Sequence, residues 1–209
     1  MIQLINVSKK FKNNMVLKNI TYSFEEGKIY GLFGKNGSGK TMLLRTIAGL
    51  IILTEGQVKI NDQILHEDIS FPPSMGIIIE NMELLPQYNA FTNLVILSKI
   101  KKVASPSDMK ESIQRVGLDP SSNLKVKKYS LGMKQRLNIA QAIFEKPQII
   151  LLDEPTNAVD DDGVALIHKI LKEEKERGAI IIIASHLKED IMPICDVSIR
   201  INNGVLMHE

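Results

Sequence analysis

The octapeptide at positions 34–41 constrains the fold of this chain more than any other stretch. It reads Gly-Lys-Asn-Gly-Ser-Gly-Lys-Thr and fits the pattern G-x-x-x-x-G-K-S/T at every fixed position. Residues 28–33 before it predict a short buried strand, and residues 42–48 after it predict a helix with an apolar face. A strand, a glycine-rich loop and a helix in this order are the local structure of a phosphate-binding P-loop.

The residues of this octapeptide have the properties that phosphate binding needs. Glycines let backbone N–H groups turn inward around an anion, and the N-terminus of the next helix adds partial positive charge. Lys40 supplies a charge for the β- and γ-phosphates, and the Thr41 hydroxyl is placed to bind Mg²⁺. The predicted nucleotide-binding residues are Gly34, Lys35, Asn36, Gly37, Ser38, Gly39, Lys40 and Thr41; Met42, which follows them, is assigned no role. The alternative is a glycine-rich loop that merely precedes a helix, and the flanking strand disfavours it.

Composition narrows the class of protein further. The 209 residues carry 26 Lys and Arg against 24 Asp and Glu, a near balance that disfavours nucleic acid as the main partner. Cys195 is the only cysteine, which excludes an intramolecular disulfide and a cysteine-built metal site and suits a reducing cytoplasm. Apolar runs such as residues 179–184 fall far short of the roughly 20 residues that a membrane-spanning helix needs. We expect a soluble, cytoplasmic protein.

Hydrophobic periodicity predicts the order of the other elements. Predicted strands cover residues 2–7, 17–24, 57–60, 63–65, 75–79, 148–153, 179–184, 197–202 and 205–207. Predicted helices cover residues 92–103, 106–116, 130–145 and 160–177, with Ile100 on the apolar face of the first. Alternating strands and helices favour an α/β fold with a mainly parallel sheet.

The resulting prediction is one domain, residues 1–209, built as a P-loop nucleoside triphosphatase core. An antiparallel β subdomain begins the chain, and a helical subdomain is inserted between two strands of the main sheet. We expect residues 1–81 and 148–209 to form the core with the β subdomain, and residues 82–147 to form the helical subdomain.

Four predicted strands end in residues that can carry chemistry, and ligands of parallel α/β sheets bind at the carboxyl ends of the strands. These strand ends are the P-loop, Glu80, the pair Asp153 and Glu154, and His186. Asp153 ends an apolar strand and needs a partner such as a metal ion or its waters, whereas Glu154 could orient or deprotonate an attacking water. His186 could contact a γ-phosphate. The alternatives to these roles are that Asp153 and Glu154 form a purely structural pair of acids, and that His186 is an ordinary hydrogen-bonded polar residue.

Residues 129–136, Tyr-Ser-Leu-Gly-Met-Lys-Gln-Arg, resemble the signature sequence of ATP-binding cassette (ABC) ATPases. The P-loop, the acid-ended strand, residues 156–160 and the Ser185-His186 pair follow the order of that family and cover essentially the whole chain. The resemblance implies an ATPase with ATP and Mg²⁺ as cofactors.

The resemblance also implies roles for the matching residues. They are Phe11 for stacking on adenine, Thr41 and Asp153 for Mg²⁺, and three catalytic residues: Lys40 at the phosphates, Glu154 as general base and His186 as the switch histidine. Ser130 and Gly132 match signature residues that act in trans, on the nucleotide held by a second subunit, and Asp160 matches the end of a loop that crosses the dimer seam. The chain is therefore expected to need a second ATPase subunit, as a homodimer or a heterodimer.

Two departures from the family pattern are informative. The usual Leu-Ser-Gly-Gly-Gln is replaced here by residues 129–133, Tyr-Ser-Leu-Gly-Met, so contacts in trans could be weaker or rearranged. Glu80 stands where most members carry a glutamine that senses magnesium. A glutamate at this position resembles the variant found in the ATPases of bacitracin-type and lantibiotic exporters. An added carboxylate at the metal site predicts an altered metal preference with little loss of hydrolysis.

The function implied is an ATP-hydrolysing subunit, peripheral on the inner face of the cell membrane, that powers a separate permease of an exporter. Two alternatives belong to other classes: a soluble ABC ATPase that acts on nucleic acid or ribosomes, and an ATP-dependent switch module for a membrane sensor. The chain shows no long coiled coil, second cassette or basic segment that would favour the first alternative.

Overall fold

A twisted six-stranded sheet is the platform of the molecule. The computed structural model describes residues 1–80 and 84–208. The strands of this sheet, in spatial order, are β10 (Val205–His208), β9 (Val197–Asn202), β3 (Lys28–Phe33), β8 (Ile180–Ser185), β7 (Ile149–Asp153) and β6 (Met75–Ile78). Neighbouring strands are parallel from β9 through β6, and β10 pairs antiparallel with β9. This arrangement confirms the predicted fold class.

A second, antiparallel sheet is built mainly from the first third of the chain. Its strands, in spatial order, are β2 (Asn14–Phe24), β1 (Ile2–Phe11), β4 (Glu55–Ile60) and β5 (Gln63–Ile64). The pairs β1–β2 and β4–β5 form hairpins, and Lys12 takes a left-handed φ of 51° in the turn that joins β1 to β2.

Six α-helices connect the strands in the described part of the chain. They are α1 (Lys40–Ile47), α2 (Ala90–Ser98), α3 (Pro106–Arg115), α4 (Leu131–Ile143), α5 (Asp161–Glu176) and α6 (Lys188–Ile191). Side chains cap four of them, since Asn89, Ser105, Ser130 and Asp160 each accept a hydrogen bond from a backbone N–H of the first turn. Among residues 1–80 and 84–208, no helix is both long and apolar enough to cross a membrane.

The predicted helix over residues 92–103 differs from the structure at both ends. The helix begins at Ala90, because Asn89 caps it, and ends at Ser98. The Ser98 hydroxyl donates to Val95 O at 2.9 Å, and the chain then turns through Lys102 with a φ of 58°. Ile100 therefore lies beyond the helix and is 75% exposed, so its predicted place on the apolar face was wrong.

Two hydrophobic cores pack on opposite faces of the central sheet. Successive strand residues point to opposite faces, and in β8 Ile181 and Ile183 join the core formed with α2 to α5. Ile180 and Ile182 join the other core, with β1, β2 and α1. Burial on both faces explains why β7 and β8 are continuous apolar runs. The predicted boundary between subdomains, at residues 81 and 82, lies outside the described residues.

Candidate nucleotide site

The P-loop joins the end of β3 to the start of α1 at the carboxyl edge of the central sheet. Gly39 precedes the helix with a φ of 112°, a backbone conformation that side chains with a Cβ rarely adopt. Gly37 also has a positive φ, of 77°. These positive φ values are a direct conformational reason for glycine at positions 37 and 39.

Two polar groups of the loop fit a phosphate. Lys40 is 6% exposed, and its Nζ donates to Gly34 O at 2.7 Å and to Lys35 O at 3.4 Å. Ser38 is 6% exposed, and its hydroxyl has no hydrogen-bond partner among the described residues. A buried hydroxyl without a hydrogen-bond partner is energetically costly, and an oxyanion bound in this loop would accept its hydrogen bond.

Thr41 and Asp153 bring two oxygen ligands side by side. The Thr41 hydroxyl on α1 donates to Asp153 Oδ2 at 2.6 Å, at the end of β7. Burial raises the pKa of the Asp153 carboxyl, Thr41 opposes this by donating to it, and the nearby charge of Glu154 raises it further. Hydroxyl and carboxylate oxygens are the donors that Mg²⁺ prefers, so the pair fits this ion, which would also relieve the cost of the buried carboxylate.

Glu154 lies at the end of β7 with its carboxylate held by the end of β8. Its oxygens accept hydrogen bonds from the backbone N–H of His186 at 3.0 Å and from the Ser185 hydroxyl at 3.1 Å. His186 Nδ1 lies 2.8 Å from Glu154 Oε1. The backbone of Glu154 is left-handed, with a φ of 51°, which is rare for a residue with a side chain. The structure thus brings the predicted general base and the predicted switch histidine into direct contact.

Glu80 is placed differently from the other predicted metal residues. Its Oε2 lies 2.5 Å from Arg45 Nη2, one helical turn beyond Thr41 on α1. The negative charge of Glu80 also raises the pKa of the Asp153 carboxyl, but less than burial and the charge of Glu154 do. No sequence motif marks Arg45, since a lone arginine late in a helix belongs to none.

One cavity is lined by seven of the predicted site residues, from the P-loop and from the end of β7. Its lining residues are Val16, Asn36, Gly37, Gly39, Lys40, Thr41, Met42, Asp153 and Glu154. An adjoining groove at the P-loop is lined by Phe33, Gly34, Lys35, Asn36, His186, Lys188 and Arg200. Sequence reasoning missed Val16 and Met42, because aliphatic side chains look alike whether they line a cavity or a core. It also missed Arg200, which β9 brings to the P-loop from the far end of the chain.

Four predicted residues, besides Ser38 and Glu80, lie outside the lining of both concave surfaces. Phe11 ends β1 and is 44% exposed, with Lys9 Nζ 4.7 Å from the centre of its ring. Ser130 is exposed as the N-cap of α4, Gly132 follows in its first turn, and Asp160 is the exposed N-cap of α5. These three polar or small residues are therefore not assembled with the P-loop of the same chain.

The fold and this cavity define a P-loop nucleoside triphosphatase. The sequence pattern of one family, described as "ABC transporter", matches residues 17–157. The chain belongs to the ABC transporter family, as an ATP-binding subunit that hydrolyses ATP.

Three relatives span nearly the whole chain. An uncharacterized ABC transporter ATP-binding protein, YybJ of Bacillus subtilis (strain 168), is 65% identical over 99% of this chain and 94% of its own length. The bacitracin transport ATP-binding protein BcrA of Enterococcus faecalis is 35% identical over 100% of this chain and 68% of its own length. The lantibiotic transport ATP-binding protein SrtF of Streptococcus pyogenes is 30% identical over 100% of this chain and 90% of its own length.

A solved structure supports the same assignment of the fold. It is the dimeric, post-hydrolysis state of an ATP-binding cassette bound to ADP and Pi, with a TM-score of 0.88 and 25% identity. The match covers 100% of this chain and 98% of that one. Together with the relatives, it confirms the resemblance that the signature sequence indicated.

Proposed function

We propose that this chain powers a separate membrane permease of an exporter, of the antibiotic, bacteriocin or self-immunity type. The relatives that act in bacitracin and lantibiotic transport support this, together with Glu80 and the variant signature that suggested the same branch from the sequence. The protein would work on the cytoplasmic side of the membrane, bound to its permease. Nucleic acid is not an expected partner, because the overall charge is nearly balanced.

The observation that carries the catalytic part is that Lys40, Thr41, Asp153 and Glu154 line one cavity. In this proposal the P-loop backbone and Lys40 bind the phosphates, and Thr41 and Asp153 hold Mg²⁺. The ion, when bound, neutralises charge on the phosphate oxygens. Phe11 would stack on the adenine, and Glu80 would sit near the metal.

Glu154 is proposed as the general base. It would accept a proton from a water placed in line with the γ-phosphate, and Ser185 and His186 hold its carboxylate in one orientation. His186 would reach the γ-phosphate from the same strand end. Because most of the barrier is lowered by positioning and charge neutralisation, small shifts of these groups should change turnover strongly.

We infer that two ATPase subunits close over two nucleotides. Ser130 and Gly132 lie outside the cavity of their own chain, and the N-terminus of α4 at Ser130 is exposed. A second copy, or a close relative, would present this helix end to the nucleotide, and Asp160 would lie at the seam. Residues 82–147 would form the helical subdomain that moves on closure, against a core of residues 1–81 and 148–209.

Purification of the tagged chain from detergent-treated membranes tests the transport part of the proposal. We expect a polypeptide with several membrane-spanning helices to co-purify and to change the ATPase rate of the complex. The same tag on the chain with Lys40→Ala is the control, because it should keep the permease and lose turnover. Recovery in the ribosome or DNA fraction, without a membrane polypeptide, would contradict the exporter role.

A further inference from the structure

Helix α4 contacts the loop that carries Glu154 at two points on one face. Gln135 Nε2 donates to Pro155 O at 3.0 Å and lies 3.4 Å from Glu154 O. At the other end of this loop, a Cβ added to Gly132 would lie 3.2 Å from Ala158 O, so helix and loop are in close contact. Gly132 and Gln135 are three positions apart and therefore share a face of the helix.

The loop of residues 154–158 has a backbone that needs such support. Glu154 and Ala158 are both left-handed, with φ values of 51° and 61°. Non-glycine residues keep this conformation only when the surrounding structure imposes it. The backbone N–H of Glu154 donates to Ala184 O at 2.8 Å on the side of the sheet, and Gln135 supplies the contact from the helix.

The orientation of the Glu154 carboxylate depends on this backbone. The carboxylate is held by Ser185 and His186, at the end of β8, whereas the carbonyls of Glu154 and Pro155 are held by a residue of α4. A shift of α4 by about 1 Å would lengthen the Gln135 contact beyond hydrogen-bonding distance. The general base therefore lies between the sheet and α4, and α4 belongs to the helical subdomain that moves on closure in the proposed function.

We propose that Gln135 is a positioning residue that transmits the position of α4 to Glu154. The inference rests on the proposed function, in which the Ser130 end of α4 contacts the nucleotide of a second subunit. Contact of α4 with that nucleotide would then orient the general base, Glu154, of the subunit to which the helix belongs. This coupling links the two ATP sites through one side-chain amide, in addition to any direct contact across the seam.

Two variants distinguish the hydrogen bond that the Gln135 side chain donates from the packing of that side chain. Gln135→Ala removes the side-chain amide, and Gln135→Glu keeps its shape but places an acceptor against two carbonyl oxygens. The matched control is Gln141→Ala on the same helix, where the side chain lines a groove beside β6. For both Gln135 variants we expect kcat to fall about five-fold or more, with the KM for ATP within about two-fold, because the lost hydrogen bond holds the base and not the nucleotide. Gln141→Ala should match the wild type.

Amide hydrogen exchange gives a readout that does not need turnover. In the wild type, ATP should slow exchange in residues 154–158 together with the first turn of α4. In Gln135→Ala we expect the first turn of α4 to remain protected while residues 154–158 lose their response to ATP. Equal kcat values for Gln135→Ala and Gln141→Ala, or an unchanged exchange response in residues 154–158, would overturn the inference. A wild type that neither binds nor hydrolyses ATP would instead contradict the proposed function.

Discussion

Replacing Glu154 by glutamine removes the proposed base and keeps its shape. In the structure the carboxylate accepts hydrogen bonds from the Ser185 hydroxyl and the His186 backbone N–H, and His186 Nδ1 lies 2.8 Å from Oε1. A glutamine oxygen can still accept from one of these donors, but it cannot take a proton from water. The Glu154→Gln chain should therefore fold and bind ATP while its chemical step is impaired.

The size of the effect follows from these contacts. General base catalysis contributes about 10² to 10⁴ in rate, so we expect kcat to fall at least about 100-fold, or roughly 3 kcal/mol in the barrier. Loss of one hydrogen bond should lower stability by about 1 kcal/mol, or about 2–4 °C in Tm. ATP affinity should stay the same or rise, because a negative charge near the γ-phosphate is removed.

Phosphate release, equilibrium ATP binding and the mass of the ATP-bound species test this prediction together. Glu111→Gln on the exposed side of α3 is the control for a change of the same chemistry away from the cavity. We expect Glu154→Gln to accumulate as an ATP-bound dimer and Glu111→Gln to behave as wild type. Turnover within about three-fold of wild type in Glu154→Gln would refute the role of Glu154 as base.

Three further predictions concern other parts of the molecule. Glu80→Gln should change the preference between Mg²⁺ and Mn²⁺ while turnover stays within about three-fold, and unchanged metal dependence would contradict this prediction. Because the ion pair with Arg45 is exposed, its loss should lower the free energy of unfolding by under about 1 kcal/mol in denaturant unfolding. Arg115→Met should cost about 2 kcal/mol, since Glu174 is 2% exposed and keeps only one of its two arginine partners; no shift in the unfolding midpoint would contradict it. Burial raises the pKa of the Cys195 thiol to about 12, so its alkylation at pH 8 should be on the order of a thousand-fold slower in the native protein than after unfolding, and equal rates would contradict it.

Much of the site could be predicted because strand order and motif position together fix where side chains converge. The P-loop, Asp153, Glu154 and His186 all follow strands of one parallel sheet, and such strands deliver their carboxyl ends to one edge. Helix starts depend on equally local contacts, since Ser105 and Ser130 accept hydrogen bonds from N–H groups only a turn away.

What sequence reasoning missed depends on contacts between distant parts of the chain. Gln135 meets Pro155 O only because α4 packs beside the loop after β7, and Arg45 meets Glu80 only because α1 lies beside the end of β6. Val16 lines the cavity because β2 runs past Gly39. The Val16 carbonyl oxygen lies 3.1 Å from the position that a Cβ added to Gly39 would take. Tertiary packing sets such pairs, and neither periodicity nor spacing reports them.

Equilibrium binding of ATP to Lys40→Ala tests the central claim that a triphosphate binds where the parallel strands end. Lys40 is buried against the loop and would give a charge-assisted hydrogen bond to phosphate, so its loss should weaken binding by about 10- to 150-fold. Lys99→Ala, at the exposed end of α2, is the control for removal of one positive charge and should leave affinity unchanged. ATP affinity in Lys40→Ala equal to that of wild type and Lys99→Ala would contradict the account.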